Sequence, residues 1–537
     1  MARILFPPRA QLAAVAIAAA VAWTALSPPA ANDLIGGDEG YYGTMARNVL
    51  AAPTQVLSPS LTPLGPPGDK PPLYPLLLAP FVSAWGPVPA AVRALCAPCA
   101  CAITFGIGML VWPATGAAGA LFATALLATL PWFTDASRAA AAELPLTALA
   151  LLALVVLAAN PRSRARAAAA GALLGLAFLC KLWLVAPAAL AAVALVAARD
   201  RRAVTVLAVL VSFAAGVAAL HLVAVAAFQP GAFEHWRYIY MGRSLAERVS
   251  GEGYADYWRR PAGVYWATVT RAFGLVLPWV AAGVEAAWRR RHEPVPRALL
   301  VWAAGLLLLS LFQVKSGGYA YVVVPAWAGL AALGAHAVAT GTGPGLWTLL
   351  AGALLTSPLG ARWQADGLPV AVWAAVWVSG GALVALTRFA RAYAARIVVG
   401  WAAVAIALGT WRSVQRVAVA FHTPGYAEVA ALVAPGLADV PPERPCFVAP
   451  EAPVFAFHLF RTGAYWATPN HPWTPERFAA VREDTTLRVF VVDTTRSFYG
   501  GWPDPATLSW LEHETHEISR SLPPSGTQAR PLRIFVR

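Results

Sequence analysis

The stretch "LAVLVSFAAGVAALHLVAVAAF", residues 207–228, decides the fold class, because none of its 22 side chains carries a fixed charge. An α-helix needs about 20 apolar residues to cross the hydrocarbon core of a bilayer. Similar runs recur along the chain of 537 residues, for example "ALLVWAAGLLLLSLF" at 298–312. Charged residues make up only 12% of the chain, about half of their share in a soluble domain. The sequence therefore predicts a polytopic α-helical membrane protein.

The net charge of +14 is explained by orientation in the membrane rather than by a nucleic-acid partner. Arginines concentrate in four short segments between apolar runs, at 161–166, 198–202, 288–297 and 388–396. Cytoplasmic loops of membrane proteins carry such an excess of Arg and Lys. We therefore assign these segments to the cytoplasmic side and expect no nucleic acid to bind.

The candidate spans number about 13, and this number places the C-terminus on the outer face. The first span has an alternative, a cleaved signal peptide, and both alternatives put the loop that follows it outside. The proline-rich apolar piece 71–86 is expected to dip into the membrane or to lie along it, because proline disfavours a plain crossing helix. The predicted spans are 11–26, 88–112, 117–133, 141–159, 165–181, 182–198, 203–228, 263–287, 298–313, 319–338, 344–361, 368–387 and 397–414.

The chain divides into two predicted domains. Residues 1–421 form a transmembrane domain with outer loops 27–87 and 229–262, and residues 422–537 form a small soluble α/β domain on the extracytoplasmic side. The predicted role of the second domain is to cover the membrane portion or to steer access to it. Its predicted strands are "CFVAP" (446–450), "RVFVVD" (488–493) and "RIFVR" (533–537), and its predicted helices are 474–484 and 504–514.

Only three of the 40 basic residues are lysines, and all three fall on the predicted outer side. They are Lys70, Lys181 and Lys315. The positive-inside rule disfavours that side for a lysine that only sets topology. We infer that these ammonium groups serve an outer site, although Lys181 at the end of a span also fits snorkelling and Lys315 also fits a solvated turn.

Carboxylates gather on the same side. Asp38 and Glu39 lie in "GGDEGYYGTMARNVL" (36–50), Asp69 precedes Lys70 in "GDKPPLYP" (68–75), and Glu143 ends the polar part of "TDASRAAAAELP" (134–145). The simpler alternatives are a solvated loop for the Asp38–Glu39 pair and a favourable helix N-terminus for Glu143. The convergence of both charge types favours a functional site.

A lipid-linked phosphate fits this chemistry. Lysine binds phosphate as a compact point charge. A nearby carboxylate can deprotonate an attacking hydroxyl or amine, as the base does in an inverting glycosyl transfer. A polyprenyl phosphate leaves with its own charge, which a cation can stabilise in place of a general acid.

At these residues the sequence resembles the C-type membrane glycosyltransferases of the protein O-mannosyltransferase and lipid A aminoarabinose transferase superfamily. That family has an Asp-Glu pair, an aromatic residue and an Ala-Arg step in its first outer loop, and then an acidic-Lys-Pro-Pro-Leu-Tyr string. A Ser-Arg stretch before an acidic residue, a Lys after an apolar helix and a late Lys-Tyr-Pro turn follow. The matching positions are Asp38-Glu39, Tyr41 or Tyr42, Ala46-Arg47, Asp69 through Tyr74, Ser137-Arg138, Glu143, Lys181, and Lys315 with Tyr319 or Tyr321 and Pro325.

The resemblance implies roles for these side chains. Asp38 would be the base or the acceptor-positioning group, and Glu39 and Glu143 would complete the catalytic acidic set. The implied donor-phosphate ligands are Lys70, Arg47, Arg138, Lys181 and Lys315. The implied substrate-positioning residues are Tyr41, Tyr42, Asp69, Tyr74 and Tyr319. Two departures stand out: Gly40-Tyr41 follows the acidic pair where relatives often have a basic residue, and Glu143 stands where the family more often has Asp.

No cofactor is required by the sequence, although a divalent metal remains an alternative. The family often has a His before the span at 263, but this chain has "YADYWRRPAGVYW" (254–266) there, so only Asp69 and His235 are weak candidate ligands. The cysteines of "CAPCAC" (96–101) are better explained as small apolar residues than as a metal site. The lone His221 within a span is expected to be packed and hydrogen-bonded, and a surface helix is expected at 233–249.

The predicted function is that of an inverting hexosyl- or pentosyltransferase, multi-pass in the cytoplasmic membrane. It would move a sugar from a polyprenyl-phosphate donor to a lipid, glycan or protein acceptor on the outer face. The alternatives are a transporter or flippase of a lipid-linked or small polar substrate, and a non-catalytic lipid-binding protein. A transporter would need ionisable residues at the bilayer midplane and broken helices in paired halves.

Overall fold

The structure is a computed structural model, and it describes most of the chain. Predictions for the spans 11–26, 344–361 and 368–387 and for the side chains of Asp69 and Lys315 lie outside the described residues. The described residues are 37–60, 70–130, 133–134, 137–197, 201–240, 246, 249–250, 263–273, 276–313, 317–342, 396, 399–401, 403–404, 406–411, 426–449, 452–464, 473–493, 504–518 and 532–537.

Helices dominate the membrane part, as the apolar runs predict. Among the described residues, four helices are long and apolar enough to cross a membrane: Pro89–Thr129, Arg164–Val196, Arg201–Phe228 and Gly318–Ala339. The total of about 13 spans stays a prediction. In chain order the helices up to residue 339 are α1 (Gly37–Ala51), α2 (Leu73–Trp85), α3 (Pro89–Val92), α4 (Cys96–Thr129), α5 (Glu143–Ala159), α6 (Arg164–Lys181), α7 (Ala186–Val196), α8 (Arg201–Phe228), α9 (Pro230–Tyr240), α10 (Gly263–Phe273), α11 (Leu277–Arg289), α12 (Pro294–Ser310) and α13 (Val324–Ala339).

Helix α4 is a hairpin of two helical halves. At Gly116 the backbone has φ +68° and ψ −169°, which breaks the helix. The Oγ1 of Thr124 donates a hydrogen bond to the carbonyl oxygen of Thr104 at 3.1 Å. In a straight helix these residues would be about 30 Å apart, so the halves lie side by side. The two halves correspond to the predicted spans 88–112 and 117–133.

A second break separates α6 from α7 at the predicted boundary of two spans. A 3₁₀ turn, Leu182–Val185, joins them, and Leu182 has φ +50° and ψ −129°. A branched residue with positive φ is strained because its Cβ meets the backbone. The side chain of Leu182 packs against an apolar cluster on α9 that contains Trp236. The break leaves Lys181 at the end of α6, which is the turn where the sequence places it.

Helix α2 agrees with the expectation that 71–86 does not cross the bilayer as a plain helix. It has 13 residues, fewer than the about 20 that a crossing needs. The helix begins after Pro72 and carries Pro80 in its interior. Helix α9 begins three residues before the predicted surface helix 233–249, and most of the predicted helix after Tyr240 lies outside the described residues.

The C-terminal region contains the predicted strands and helices. The five strands among its described residues form one mixed sheet in the order β2-β1-β3-β5-β4, parallel between β1 and its neighbours and antiparallel on both sides of β5. Helices on the sheet faces complete the α/β layout. The elements are helix α14 (Tyr426–Val433), β1 (Pro445–Val448), α15 (Ala452–Leu459), β2 (Thr462–Gly463), α16 (Pro475–Glu483), β3 (Val489–Asp493), α17 (Pro505–Glu514), β4 (His516–Glu517) and β5 (Leu532–Val536).

One apolar core is continuous between the membrane helices and the C-terminal sheet. It runs from Ile107 and Leu151 through Tyr42 on α1 to Phe447 and Phe455. Burial of such side chains contributes about 25 cal/mol for each Å² of apolar surface removed from water. The C-terminal region is thus packed directly on α1, and its predicted status as a separate extracytoplasmic domain stays a prediction.

Candidate active site

Helix α1 carries the acidic pair, in a segment that the sequence assigns to an outer loop. Asp38 and Glu39 occupy the first turn, where carboxylates favour the positive end of the helix dipole. Most residues in the middle of α1 are buried and its last two, Leu50 and Ala51, are exposed, whereas the side chain of Asp38 in the first turn is 47% exposed. The helix therefore presents a carboxylate at an accessible position at its N-terminal end.

Lys181 joins two of the predicted catalytic carboxylates. Its Nζ lies 2.7 Å from Oε1 of Glu143 and 3.4 Å from Oδ2 of Asp38. The three residues come from the ends of α6, α5 and α1, so positions more than 100 residues apart converge at one point. The Lys181 ammonium also lies 5.8 Å from the centre of the Tyr319 ring. The predicted convergence of Asp38, Glu143 and Lys181 is thus present in the structure.

The two carboxylates beside Lys181 differ in environment. The side chain of Glu143 is 7% exposed, and its Oε2 is buried without a hydrogen-bond partner among the described residues. A buried carboxylate oxygen without a partner costs free energy unless a substrate or water group completes its hydrogen bonds. Glu143 therefore anchors Lys181 and leaves one oxygen for a donor group.

Glu39 forms a buried ion pair and accepts a backbone hydrogen bond. The Nε and Nη2 of Arg93 donate to its two carboxylate oxygens at 2.8 and 2.7 Å, and the backbone N–H of Ala140 donates to Oε1 at 2.8 Å. Both side chains of the Glu39–Arg93 pair are at most 3% exposed. This bidentate geometry ties α1 to the segment before α4 and to the connection before α5. The predicted catalytic role of Glu39 stays untested, and its contacts favour a positioning role.

Lys70 approaches the same helix face. Its Nζ lies 5.5 Å from the centre of the Tyr41 ring, and Tyr41 is one turn from Asp38 on α1. A cation over an aromatic face is favoured by about 1 kcal/mol. Lys70 thus lies beside the first turns of α1, and its predicted role as a donor-phosphate ligand stays a prediction.

Other predicted site residues are buried. Tyr42 and Tyr74 are buried edge to face, with their ring centres 4.8 Å apart. Arg138 is 3% exposed, and its neighbour Ser137 shares a hydrogen bond of 3.0 Å with the hydroxyl of Tyr321. The roles that the sequence assigns to Tyr42, Tyr74 and Arg138 stay predictions.

Arg47 points away from the cluster. Its Nη1 donates to the carbonyl oxygens of Phe457 and His458 at the end of α15. Its guanidinium lies 4.5 Å from the centre of the Phe460 ring. Burial, with the Arg461 charge as the second cause, lowers the pKa of Arg47 to about 10. The donor-phosphate role predicted for Arg47 is therefore not supported by its position.

Sequence analysis missed Arg93 and Leu182. Arg93, in "AAVRALC", has the appearance of an ordinary arginine at the start of a span. Its pairing with Glu39 depends on a contact over 54 positions, which no local pattern reveals. The signal that was available is its placement on the outer side, where the positive-inside rule disfavours arginine.

Of the two candidate metal ligands, only His235 lies in the described part of the chain, so a site shared with Asp69 stays a prediction. Within that described part, no group of three or more His, Cys, Asp and Glu side chains is placed to hold a metal ion. His235 stacks edge to face on Trp236 in α9. His221 is packed and hydrogen-bonded as predicted, with Nε2 2.8 Å from the Leu57 carbonyl oxygen and Nδ1 2.7 Å from the Tyr240 hydroxyl.

The fold is that of C-type membrane glycosyltransferases. No family model matches the sequence, and no curated protein sequence matches it. The structure is similar to that of ArnT from Cupriavidus metallidurans bound to undecaprenyl phosphate, with a TM-score of 0.64 and 18% identity over 97% of both chains. It is also similar to the oligosaccharyltransferase AglB from Archaeoglobus fulgidus in complex with an inhibitory peptide and a dolichol-phosphate, with a TM-score of 0.57 and 14% identity over 90% of this chain and 69% of that one. This likeness confirms the predicted fold.

Proposed function

We propose that the protein is an inverting glycosyltransferase that moves a sugar from a polyprenyl-phosphate donor to an acceptor at the outer face of the cytoplasmic membrane. The observation that carries the proposal is the Asp38–Lys181–Glu143 cluster, in which one carboxylate is open and the other is buried. The fold supports the same class, since its structural neighbours include ArnT bound to undecaprenyl phosphate and AglB in complex with a dolichol-phosphate.

Asp38 acts on the acceptor. Its exposed carboxylate accepts the proton of the acceptor hydroxyl or amine while that oxygen or nitrogen forms the new bond to the anomeric carbon. The bond from the anomeric carbon to the phosphate oxygen breaks, and the polyprenyl phosphate keeps the bonding electron pair. Attack from the face opposite the leaving group inverts the anomeric centre.

Lys70 receives the charge that develops on the phosphate. A fixed ammonium group at this position stabilises the transition state without proton transfer. Lys315, Asp69 and Arg138 remain candidate ligands of the donor, and Tyr41 and Tyr319 form the aromatic sides of the site through their contacts with Lys70 and Lys181.

Lys181 and Glu143 organise the cluster. The short contact of Lys181 with Glu143 fixes the ammonium group, and the longer contact with Asp38 holds a carboxylate that is 47% exposed and can meet the acceptor. The second oxygen of Glu143 can accept a hydrogen bond from the acceptor or from the sugar. The acceptor is a lipid, glycan or protein with a hydroxyl or amine.

The test has two parts. Mass spectrometry of envelope lipids, glycans and proteins from cells with and without the gene should show one missing increment of hexose or pentose size, and the wild-type gene should restore it. Purified protein should also bind undecaprenyl phosphate, with weaker binding in Lys70→Met. An unchanged set of envelope masses together with no binding of undecaprenyl phosphate would overturn the proposal.

A further inference from the structure

One face of α1 is docked on helix α15 of the C-terminal region. The contact residues on α1 are Gly40, Gly43, Thr44 and Arg47, which follow the spacing of a single helical stripe. Asp38 lies at the start of the same helix, two residues before the first contact. The stripe therefore joins the C-terminal region to the element that carries the proposed base.

The glycines permit an approach of backbone to backbone. A Cβ atom at Gly40 would lie 2.4 Å from the backbone nitrogen of Val454, and a Cβ at Gly43 would lie 2.9 Å from the Phe457 ring. The Oγ1 of Thr44 donates to the carbonyl oxygen of Pro453 at 2.9 Å. Since no side chain larger than hydrogen fits at Gly40 without a shift of α15, the backbones of the two helices are in close contact there.

Arg47 closes the far end of the stripe. The carbonyl groups at the C-terminus of a helix lack partners within the helix and carry partial negative charge. The Arg47 guanidinium satisfies those of Phe457 and His458 and stacks on Phe460, whose φ of +53° turns the chain immediately after α15. The contact is specific to a planar cation with several donors.

We propose that this stripe positions Asp38 against Lys181, so that α15 is a required part of the active site and Gly40 and Arg47 are positioning residues. The inference rests on the proposed function and deepens it, because the C-terminal region then acts on the transfer step as well as covering the site. Glu39 holds the other side of α1 through Arg93, so that α1 is clamped between the membrane helices and α15.

The experiment uses the full-length protein in detergent and in cells that lack the gene. Gly40→Ala forces α15 away, and Gly436→Ala is the matched control, because a Cβ at Gly436 meets no atom within 4 Å. Hydrogen–deuterium exchange of residues 37–51 and 452–464 should be faster in Gly40→Ala and unchanged in the control. The envelope sugar increment should fall about tenfold or more in Gly40→Ala, since small misplacements of reacting groups have effects of that size.

Two further measurements separate positioning from loss of folding. Gly40→Ala should bind undecaprenyl phosphate with a Kd within about threefold of wild type, because Lys70 lies over the ring of Tyr41, which is not one of the stripe residues. Arg47→Lys should keep more of the transfer than Arg47→Met, since Lys retains a cationic donor for the carbonyl groups. An increment in Gly40→Ala equal to wild type would overturn the inference, as would unchanged exchange of residues 37–51. Failure of the proposed function would be recognised separately, because the wild-type protein would then restore no increment.

Discussion

The Nζ of Lys181 lies 2.7 Å from Oε1 of Glu143 and 3.4 Å from Oδ2 of Asp38, and the two carboxylates have different roles in the proposed site. The nearer carboxylate is buried and holds the lysine, while the farther one is half exposed and can meet a substrate. A cation shared in this way keeps two like charges in one site. Each of the following predictions depends on that division or on the scaffold behind it.

Replacing Asp38 with Asn should abolish transfer and leave the fold intact. Loss of a positioned base lowers a rate by about a hundredfold or more. The stability change should be below about 1 kcal/mol, because Asp38 is half exposed and Lys181 keeps Glu143 as its partner. The measurements are the envelope sugar increment and the thermal unfolding temperature in detergent. Glu443→Gln, an exposed carboxylate on a C-terminal turn, is the control, and equal transfer by Asp38→Asn and Glu443→Gln would remove Asp38 from its role.

Glu143 and Lys181 should be coupled in stability. Removing one partner of a buried ion pair leaves the other charge unpaired, at a cost of about 3 kcal/mol or more. Lys181→Met leaves the buried Glu143 without its cation and should therefore lower the free energy of unfolding by about that amount, whereas Glu143→Ala should lower it by less, because Lys181 keeps Asp38 at 3.4 Å. The double variant should lose less than the sum of the single losses, which a double-mutant cycle of unfolding in detergent would measure. Additive losses would show that the contact of 2.7 Å carries no energy.

Glu39 should behave differently from Asp38, although the two are neighbours in sequence. Its carboxylate is fully engaged by Arg93 and Ala140, so Glu39→Gln should lower stability by about 3 kcal/mol. Arg93→Met should have a similar effect, and the folded fraction of both variants should keep part of its transfer, because the contact with α15 still holds the other side of α1. Folded Glu39→Gln without any transfer would return Glu39 to the catalytic set that the sequence predicts.

The sequence predicts the class of fold and the convergence of charges, because both depend on simple physical rules. Apolar runs identify spans, and the positive-inside rule assigns sides. These two rules are enough to bring Asp38, Glu143 and Lys181 to one face. The resemblance to C-type glycosyltransferases adds their order along the chain, and the structural comparison confirms the fold.

What the sequence could not predict is how each side chain is used within the packed site. The sequence does not predict helix α1, because Gly37, Gly40 and Gly43 lower its helix propensity. Packing on both sides of the helix overrides that tendency. Arg47 resembles a phosphate ligand in the sequence, yet it binds carbonyl groups 410 positions away along the chain. Such tertiary partners leave no periodic pattern.

Leu182 offers a test of the strained turn that presents Lys181. Its φ of +50° disfavours any residue with a Cβ by about 1 to 2 kcal/mol, whereas glycine adopts it freely. Leu182→Gly and Leu182→Ala both remove the leucine contacts with the α9 cluster, so their comparison isolates the backbone. Leu182→Gly should be the more stable of the two by about 1 kcal/mol, as judged by thermal unfolding. Equal or lower stability of the glycine variant would mean that the turn is not strained in the folded protein.

Cys446 should make the C-terminal region sensitive to alkaline pH. The thiol lies in β1, and burial raises its pKa from 9.0 to about 11. Below pH 9 the thiol is protonated in both the folded and the unfolded chain, and it has no effect on stability. Between pH 9 and about 11 the unfolded chain loses this proton while the folded chain keeps it, so stability falls as pH rises.

Unfolding of wild type and Cys446→Ala at pH 7.5 and pH 10, two values chosen on either side of the ordinary thiol pKa, measures this effect. The loss between the two pH values should be smaller in Cys446→Ala, since other groups titrate equally in both proteins. In the native wild type, a maleimide should modify Cys446 slowly at neutral pH, because a pKa near 11 leaves about a hundredfold less thiolate than a pKa of 9. Identical pH profiles in the two proteins would show that Cys446 is not buried in the folded chain. That result would also argue against the packing of β1 on α15, on which the docking of α1 depends.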